Sequence, residues 1–445
     1  MPAIIGIRRE DKNEWERRVP VIPADLAELQ AIRGLRIMVQ SSSIRVYRDE
    51  EYRAAGIAVS EDLSPASLIL AIKEVPSALL MPGRTYAFFA HVAKGQAHNM
   101  PMLRRLLELG CSLIDYEKIT DENNRRLIFF GRHAGYAGMV ETLRCLGQRL
   151  AASGVQTPFA QVRHAYAYRD LDSAKGHISD LGKQILRVGL PQGLRPLVIG
   201  FTGYGNVSRG AQEVLDALRV REIAVSELAA EAGVASEWGE IFKVVFREED
   251  TVRPPDPTRP FDLQDYYRNP EQYHSCFEAY LPHIDVLVNA IYWEERYPRL
   301  VTRDWARRNY VPGSQPRLKV IGDISCDIRG SIELTLKATK PDNPYFVYDP
   351  DTDTACDGVY GTGPAIMAVD NLPCEFPRES SQYFSSVLRD IVRDLAEADW
   401  HADFEHLELP AHLKKAVIVH RGELAPSFRY LQQHIDQGAH SAGGC

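Results

Sequence analysis

The chain lacks the features that mark several large classes of protein. Its 52 lysine and arginine residues are outnumbered by 60 aspartate and glutamate residues, and the net charge of −8 disfavours nucleic acid or an anionic membrane as the main partner. No apolar run approaches the roughly 20 residues that cross a bilayer. Charged residues appear within the first ten positions, too early for a secretory signal. We therefore expect a soluble, cytoplasmic protein whose first residues form a strand.

Cysteine is scarce, and no Cys-x-x-Cys pair occurs. The seven cysteines are scattered over the chain, at Cys111, Cys145, Cys276, Cys326, Cys356, Cys374 and Cys445. A disulfide framework and a structural zinc site both need regularly spaced cysteines. We therefore predict neither of them, and no metal. Cys326 is the one cysteine near a candidate site, and a small core residue is the favoured interpretation for it.

The usual dinucleotide fingerprint is present except for its third glycine. The stretch from Gly200 to Gly210 (Gly-Phe-Thr-Gly-Tyr-Gly-Asn-Val-Ser-Arg-Gly) follows an apolar run and precedes a helical pattern, with Ser208 in place of that glycine. A strand, a glycine turn and a helix suit a pyrophosphate, because the N–H groups that open the helix face the anion. An ordinary strand–helix turn is the alternative. The predicted cofactor-binding residues here are Gly203, Tyr204, Gly205, Asn206 and Val207.

The first 130 residues alternate between short strands and helices. Strands are predicted at 4–7, 35–39, 67–72 and 85–90, and helices at about 23–33 and 97–109. This order predicts an α/β domain with a largely parallel sheet. Ligands of such domains lie beyond the carboxyl ends of the strands.

Three ionisable residues fall at that edge of the first predicted sheet. Lys73 and His91 each follow an apolar strand, and Arg18 follows the first strand after one loop. Each has a simpler interpretation: a surface ion pair for Arg18, a solvent-exposed strand end for Lys73 and a hydrogen-bonded core histidine for His91. Because all three converge on one edge, we predict a functional site there. The following segment, 131–150, is rich in small residues, which favours tight helix packing at a domain junction.

A second strand–helix series follows, with strands predicted near 196–202, 221–226, 284–290 and 318–324. Dense prolines predict that the segment 245–280 is a long surface loop. Asp323 and Asp327 end the fourth strand, where they are either surface charges or part of the cofactor crevice. The second strand ends at Ser226 without an acid for the ribose hydroxyls, which favours NADP. A shift of one residue would place Glu227 there and favour NAD.

Laid out in this order, these residues resemble the alanine dehydrogenase/transhydrogenase-like superfamily. Within it, the chain is most similar to the lysine–2-oxoglutarate reductase (saccharopine-forming) half of aminoadipic semialdehyde synthases. The matching stretches run nearly from end to end: Gly-Ile-Arg-Arg-Glu-Asp at 6–11, Trp-Glu-Arg-Arg at 15–18, Thr-Tyr-Ala-Phe-Phe-Ala-His at 85–91, Leu-Ile-Asp-Tyr-Glu-Lys at 113–118, Phe-Thr-Gly-Tyr-Gly-Asn-Val-Ser at 201–208, Ile-Tyr-Trp-Glu at 291–294, Pro-Arg-Leu at 298–300 and Asp-Asn-Leu-Pro at 370–373.

The resemblance implies a two-lobed α/β fold, in which two Rossmann-like domains with parallel sheets enclose an active-site cleft. It implies a discontinuous substrate domain, residues 1–135 plus 345–445, and a dinucleotide-binding domain, residues 136–344. Arg132 and His133 depart from the more apolar or amide-bearing pair expected before Ala134.

The resemblance also assigns roles to single residues. Lys73 and His91 match the family's acid–base pair, and Arg18 matches a ligand of a substrate carboxylate. Asp327 matches an aspartate near the nicotinamide in the alanine dehydrogenase branch. The predicted site also includes Asn371 as a substrate-binding residue, and Asp323 and Ser226 as cofactor-binding residues.

The implied reaction is the reductive condensation of L-lysine with 2-oxoglutarate to saccharopine, with NADPH as reductant and NAD(H) as the other choice. We expect burial and a neighbouring like charge to lower the pKa of Lys73. Three alternatives stay open: an NAD-dependent, lysine-forming saccharopine dehydrogenase, an opine-type dehydrogenase on another amino acid, and an inactive nucleotide sensor. The expected partners are small molecules, a second copy of the chain on base rates, and a separate saccharopine-oxidising enzyme, since only the reductase half is matched.

Overall fold

The computed structural model describes residues 4–32, 35–234, 240–256, 258–311 and 313–441. The chain divides into two compact units: the first is Met1–Phe130 with Pro377–Cys445, and the second is Gly131–Phe376. Each unit contains its own, mostly parallel sheet, which confirms the predicted α/β fold with two Rossmann-like domains. In the part of the chain that the structure describes, no helix is both long enough and apolar enough to cross a membrane.

Strands and helices alternate through both units. The strands are β1 (Ile4–Ile7), β2 (Arg36–Gln40), β3 (Ala58–Ser60), β4 (Leu68–Leu70), β5 (Thr85–Phe88), β6 (Ser112–Asp115), β7 (Leu197–Thr202), β8 (Arg221–Glu222), β9 (Ile241–Phe246), β10 (Val252–Arg253), β11 (His274–Ser275), β12 (Val286–Asn289), β13 (Val320–Asp323), β14 (Tyr345–Asp349), β15 (Thr354–Asp357), β16 (Ala365–Met367), β17 (Val417–His420) and β18 (Glu423–Leu424). The α-helices are α1 (Pro23–Gln30), α2 (Asp49–Ala54), α3 (Met100–Glu108), α4 (Gly131–Ala152), α5 (Leu171–Val188), α6 (Asn206–Leu215), α7 (Leu228–Gly233), α8 (Glu248–Thr251), α9 (Leu263–Arg268), α10 (Arg303–Asn309), α11 (Pro377–Glu397), α12 (Ala411–Lys414) and α13 (Leu431–Ser441).

The first sheet has the strand order β18-β17-β6-β5-β4-β1-β2-β3. Strands β1 to β6 pair in parallel, and the hairpin of β17 and β18 adds an antiparallel edge beside β6. The strand order reverses between β1 and β4, so the ligand crevice of this unit lies at their carboxyl ends. The four predicted strands of this region are confirmed, whereas the short strands β3 and β6 were not predicted. The first predicted helix is also present, although residue 33 lies outside the described residues.

The second sheet has the strand order β15-β14-β16-β13-β12-β7-β9-β8, and its order reverses at β7. Strand β7 is buried along its whole length. Leu197 and Phe201 pack into the apolar cluster on one face of the sheet, and Val198 packs into the cluster on the other. Burial on both faces is typical of a parallel sheet covered by helices, and it explains why this strand reads as a continuous apolar run.

The second strand of this series was predicted in the wrong place. Only two residues pair in the predicted segment 221–226, in β8 at the sheet edge, and the strand beside β7 is β9. Lys243, in the middle of β9, is buried and binds Asp216 at 2.9 Å and Glu222 at 3.1 Å. A charged residue at the centre made this segment look less like an inner strand than the uncharged run that begins at Ile223.

The segment 245–280, predicted as a long surface loop, is folded. It begins inside β9 and continues through α8, β10, α9 and β11, and β10 pairs with β11 in an antiparallel ladder. Val252, Tyr266 and Tyr273 form a small apolar core of their own. Pro254 and Pro255 lie after β10, where no ladder hydrogen bond is lost. The prolines therefore mark one connection and not the whole segment.

The boundaries between the units differ from the predicted ones. Residues 345–376, predicted to belong to the substrate domain, lie in the second unit because β14, β15 and β16 extend the second sheet beyond β13. The chain enters the second unit at residue 131 rather than 136. In the first unit, the C-terminal part begins with α11 and completes the sheet with β17 and β18.

Two glycines let α4 and α6 touch through their backbones. A Cβ on Gly135 would lie 2.0 Å from the carbonyl oxygen of Val207, and one on Gly210 would lie 2.1 Å from that of Arg132. No side chain fits at either position. The helix 131–150 thus packs tightly, as predicted, but its partner α6 belongs to the same unit, so these contacts do not lie between domains.

Candidate active site and nucleotide pocket

Lys73, His91 and Arg18 follow three neighbouring strands of the first sheet. Strands β5, β4 and β1 lie side by side and run in parallel, so their carboxyl ends share one edge. Lys73 stands shortly after β4, His91 shortly after β5, and Arg18 after the loop that follows β1. The structure thus brings the three predicted residues to the edge where ligands of such sheets lie.

Arg18 forms a buried ion pair. Its Nε donates to Oε1 of Glu16 at 2.7 Å and its Nη2 to Oε2 at 2.5 Å. The two side chains are only 2% and 0% exposed, and the guanidinium lies 4.5 Å from the centre of the Phe130 ring. Two parallel N–H···O bonds are the geometry that a carboxylate prefers on arginine. A substrate carboxylate at this edge would therefore share Arg18 with Glu16.

Lys73 lies in a setting that favours its neutral amine. Burial lowers its pKa, and the positive charges of Arg18 and Lys12 act in the same direction, against the carboxylates of Glu16 and Glu74. The direction agrees with the sequence-based expectation, and Arg18 supplies the largest like charge. A lysine of this kind can accept a proton at a lower pH than an exposed one.

The backbone of His91 is held in an unusual conformation. Its φ is +49°, a region that non-glycine residues rarely adopt. The side-chain amide of Asn99, which is buried, donates to the carbonyl oxygens of Ala90 at 3.1 Å and His91 at 3.2 Å. The imidazole stacks on Phe89, with ring centres 6.1 Å apart. Strain of this kind persists where the surroundings hold it, as they do at functional sites.

Two acids behind His91 were not singled out from the sequence. Oε2 of Glu117 lies 3.5 Å from Nδ1 of His91. The hydrogen bond from His91 lowers the pKa of Glu117 to about 2, and the charge of Arg126 acts in the same direction. Burial raises the pKa of Asp115 to about 6, although the N–H groups of Glu117 and Ala90 act against it. An acid at Nδ1 fixes the orientation of an imidazole. Their position at the end of β6 would have revealed them, had that strand been predicted.

The glycine turn of the second unit is shaped for close approach of a ligand. Gly203 has φ +86°, and a Cβ there would lie 2.9 Å from the carbonyl oxygen of Ala290. A Cβ on Gly205 would point into open space. Asn206 is the first residue of α6, so the N–H groups that open this helix face the turn. Val207 packs against Gly131 of α4 instead.

A pocket of about 380 Å³ opens at the carboxyl ends of β7, β9 and β12. The glycine turn forms one wall, and the residues that follow β9 and β12 form the others. Seven aromatic side chains line it, namely Tyr204, Phe246, Tyr266, Tyr267, Tyr292, Trp293 and Tyr297. A glycine backbone beside aromatic walls fits the phosphates and the flat base of a dinucleotide.

Arg247 and Glu248 stand at the tip of β9, the strand next to the glycine turn. Arg247 is exposed, and its guanidinium lies 5.6 Å from the centre of the Tyr204 ring. Glu248 Oε1 accepts hydrogen bonds from the hydroxyls of Tyr267 at 2.8 Å and Tyr204 at 3.5 Å. Ser226, predicted for this role, lies in a short 3₁₀ turn after the edge strand β8 and does not line the pocket. The strand whose tip lies beside the glycine turn was not predicted; its signal is the run Ile241–Phe246, which Arg247 and Glu248 follow directly.

Three other predicted residues lie away from the walls of this pocket. Asp323 is fully buried at the end of β13, where it accepts hydrogen bonds from Asn289 at 2.8 Å and Thr335 at 2.6 Å. Burial raises its pKa to about 6. Asp327 is half-buried in the turn that follows, and Asn371 is half-buried in the turn after β16. The carboxylate of Asp323, at the end of β13, thus binds the end of β12 through Asn289 and the connection after β13 through Thr335.

Arg132 and His133, the pair that departs from the family pattern, take part in helix packing. Arg132 binds Glu213 of α6 at 2.6 Å. His133 is buried, and its ring meets that of Tyr136 edge to face at 5.6 Å. Both contacts lie within the second unit.

Family models match both parts of the chain. "Alanine dehydrogenase/PNT, N-terminal domain" matches residues 6–137, and "Alanine dehydrogenase/PNT, C-terminal domain" matches residues 265–427. Both the family and the fold imply a nicotinamide nucleotide as cofactor. A solved L-alanine dehydrogenase superposes with a TM-score of 0.61 at 16% identity, covering 97% of this chain and 99% of its own. A transhydrogenase from Sinorhizobium meliloti gives 0.54 at 15% identity, covering 96% and 100%. At such identities the likeness concerns the fold alone.

Curated relatives match nearly the whole chain. The alpha-aminoadipic semialdehyde synthase of Arabidopsis thaliana is 39% identical over 96% of this chain and 41% of its own length. The mitochondrial protein of that name from Bos taurus is 36% identical over 99% of this chain and 48% of its own. The chain therefore spans less than half of these relatives. The saccharopine dehydrogenase [NAD(+), L-lysine-forming] of Emericella nidulans is 26% identical, over 82% of this chain and 85% of its own length.

Proposed function

We propose that this chain, which belongs to the alanine dehydrogenase/PNT family, joins L-lysine to 2-oxoglutarate and reduces the product to saccharopine with NADPH. The observation that carries this proposal is the set of ionisable groups at the first sheet edge. Arg18 lies close enough to lower the pKa of Lys73, and His91 is oriented by Glu117 at the end of the next strand. The likeness to aminoadipic semialdehyde synthases supports the choice of substrates.

The chemistry needs a neutral amine on the substrate, transfer of a proton from the attacking nitrogen to the former keto oxygen, and a further proton for the loss of water. The ε-ammonium of lysine must lose a proton before its nitrogen attacks the keto carbon of 2-oxoglutarate. Lys73, with its lowered pKa, is proposed to take that proton. The carbinolamine that results must lose its hydroxyl as water, and His91 is proposed to donate the proton that this step requires. The protonated imine (iminium) that remains can then accept a hydride.

The first unit also has to bind carboxylates. Saccharopine carries three of them, and Arg18 is the proposed ligand of one. The two hydrogen bonds from Arg18 to Glu16 fix the direction of the guanidinium before substrate binds. Preorganisation of this kind lowers the entropy lost on binding. Asn371 and Asp327 stay proposed as substrate and nicotinamide contacts on the family likeness alone.

A bound nicotinamide nucleotide would supply the hydride for this reduction. Gly203, Gly205 and the opening of α6 are proposed to hold its pyrophosphate, and the aromatic walls are proposed to hold its adenosine part. Arg247 favours NADPH, because a guanidinium at the tip of the second strand suits a ribose 2′-phosphate. The carboxylate of Glu248 is already engaged by two tyrosine hydroxyls.

A second candidate is an NAD-dependent saccharopine dehydrogenase that forms lysine. Glu248 favours it, because an acid at this strand tip is the usual partner of the ribose hydroxyls of NAD. Relatives with that name match this chain at 24–26% identity, below the 35–39% of the aminoadipic semialdehyde synthases.

The test is an oxidation assay with purified protein. NADPH or NADH is followed at 340 nm with 2-oxoglutarate and a panel of amino acids, and the reverse reaction is followed with saccharopine and either oxidised nucleotide. We expect oxidation of NADPH with L-lysine and formation of saccharopine in the mass spectrum. Turnover with NADH alone supports the second candidate, and turnover with another amino acid supports an opine-type enzyme. No oxidation with any pair contradicts the proposal and favours a nucleotide sensor.

A further inference from the structure

A buried carboxylate holds the backbone at the end of β4. Glu10, in the loop that follows β1, is 5% exposed. Its Oε1 accepts the backbone N–H of Ile72 at 2.6 Å, and its Oε2 accepts that of Lys73 at 3.0 Å. Consecutive N–H groups of an extended strand point to opposite sides. Here both reach one carboxylate, so the chain bends at these two residues and forms a small anion-binding nest.

We propose that Glu10 is a positioning residue, which fixes the backbone of Lys73 and thereby keeps the half-buried Lys73 side chain in its position at the edge that also carries Arg18. The same loop is tied to β4 once more, by the backbone N–H of Arg8 on the carbonyl oxygen of Leu70 at 2.9 Å. A bend held at two consecutive N–H groups sets the direction in which the next side chain leaves the backbone. Glu10 lies in the stretch 6–11 that resembles the family, but no sequence pattern pointed to this contact, because Ile72 and Lys73 lie some sixty residues further along the chain.

The contact is sensitive to protonation. Burial raises the pKa of Glu10 to about 7, the nearby Glu16 adds to this, and the two N–H groups and Arg8 act against it. Burial raises the pKa of Tyr116, at the end of β6, and the charge of Glu10 acts in the same direction. Below that pH the carboxyl group gains a proton, and it accepts the two N–H groups less strongly. The hold on Lys73 should therefore weaken as the pH falls through about 7.

The consequence for Lys73 can be measured without any turnover. Reductive methylation modifies only the neutral amine, so its rate against pH, read from the Lys73 peptide by mass spectrometry, reports the titration of that amine. In the whole protein carrying Glu10→Gln, one oxygen still accepts an N–H while the amide nitrogen faces the other. We expect the pH midpoint of Lys73 methylation to rise by about one unit or more. An amine that becomes more exposed to water and moves away from Arg18 holds its proton more strongly.

The kinetic part of the test rests on the proposed function. We expect Glu10→Gln to lower kcat by about 10- to 100-fold, since a displaced catalytic group is costly. The KM for NADPH should stay within about twofold of the unaltered protein, because the second unit is proposed to bind the nucleotide. Glu10→Asp keeps the charge on a shorter stem, and it should recover part of both effects.

Glu14→Gln is the matched control, since Glu14 lies on the same loop and is exposed. The proposal is overturned if Glu10→Gln, or Glu10→Asp where the amide variant does not fold, gives the Lys73 midpoint of Glu14→Gln. It is also overturned if kcat falls while the Lys73 midpoint stays in place. If the unaltered protein turns over no substrate, the proposed function fails by itself, and the methylation midpoint still decides the role of Glu10.

Discussion

The first and the second sheet both reverse their strand order beside their first strand, at β1 in one and at β7 in the other. The edge at β1 carries Arg18, Lys73 and His91, with acids packed behind them. The edge at β7 carries glycine backbone and aromatic rings. The same topology thus supplies a crevice in both units, whereas the residues that follow the strands decide its chemistry.

The two edges also treat charge differently. At the first edge, burial and the charge of Arg18 lower the pKa of Lys73, while burial raises the pKa of Glu10 to about 7 and that of Asp115 to about 6. In the second unit, the buried carboxylate of Asp323 is enclosed by neutral donors, and its pKa is raised. We infer that the first edge is built for proton transfer, and that the second is built to hold a ligand.

The largest effect is expected at the first edge. Lys73→Met or His91→Ala should lower kcat for saccharopine formation by roughly 10²–10⁴-fold, because each removes a proposed proton carrier. The affinity for NADPH, measured by quenching of protein fluorescence, should stay within about threefold, since the nucleotide pocket lies in the second unit.

Lys415→Met and His401→Ala are the matched controls, because both side chains are exposed in the first unit and lie outside the site. Near-normal turnover in Lys73→Met and His91→Ala would contradict the assignments. Loss of nucleotide affinity in either variant would contradict the division of roles between the two units.

Much of this contrast could be read from the sequence. Apolar runs end directly before Lys73 and His91, and the glycine turn follows another such run, so strand ends and their residues could be placed by local pattern alone. What could not be predicted depends on contacts between distant segments. Glu10 binds backbone at Ile72 and Lys73, and Arg18 has a buried partner in Glu16, where the pattern suggested a surface pair.

The wrong assignments have a common physical origin. Strand β9 contains Lys243, whose charge is satisfied by Asp216 and Glu222, and only the folded chain reveals those partners. Ser226 was therefore placed at the tip of a strand that is only two residues long at the sheet edge. Likewise, β14 to β16 join the second sheet through pairings that no local pattern announces. Periodicity identifies elements, but the order of strands in a sheet is a tertiary property.

The protonation of Asp323 at the second edge should change the stability of the fold. Its folded pKa of about 6 lies above the ordinary value of 3.8, so this group stabilises the fold below pH 3.8, and that contribution is lost as the pH rises through about 6. Asp323→Asn removes the cost of the buried charge, and an amide can still accept from Asn289 and donate to Thr335. Relative to the unaltered protein, we expect the variant to gain about 3 kcal/mol between pH 4 and pH 7, and nothing further above that.

The gain is read as the difference in melting temperature between the two proteins across that pH range. Asp351→Asn is the control, because Asp351 is exposed in the same unit. A difference that does not change with pH would mean that Asp323 is not titrating in the folded state, and the contrast between the two edges would lose its electrostatic basis.

The smallest expected effect concerns the choice of nucleotide at the second edge. Arg247→Ala should lower kcat/KM for NADPH by about tenfold and leave that for NADH within about twofold, because only NADPH carries the 2′-phosphate that the guanidinium is proposed to bind. Arg268→Ala is the control, because Arg268 is an exposed arginine of the same folded segment and does not line the pocket.

Glu248→Ala tests the neighbouring acid, and it should raise kcat/KM for NADPH if the carboxylate repels the 2′-phosphate. Should Arg247→Ala weaken both nucleotides equally, Arg247 binds a part that they share. If Glu248→Ala abolishes turnover with NADH and leaves turnover with NADPH unchanged, the second edge selects NAD. That result would support the second candidate, the lysine-forming saccharopine dehydrogenase.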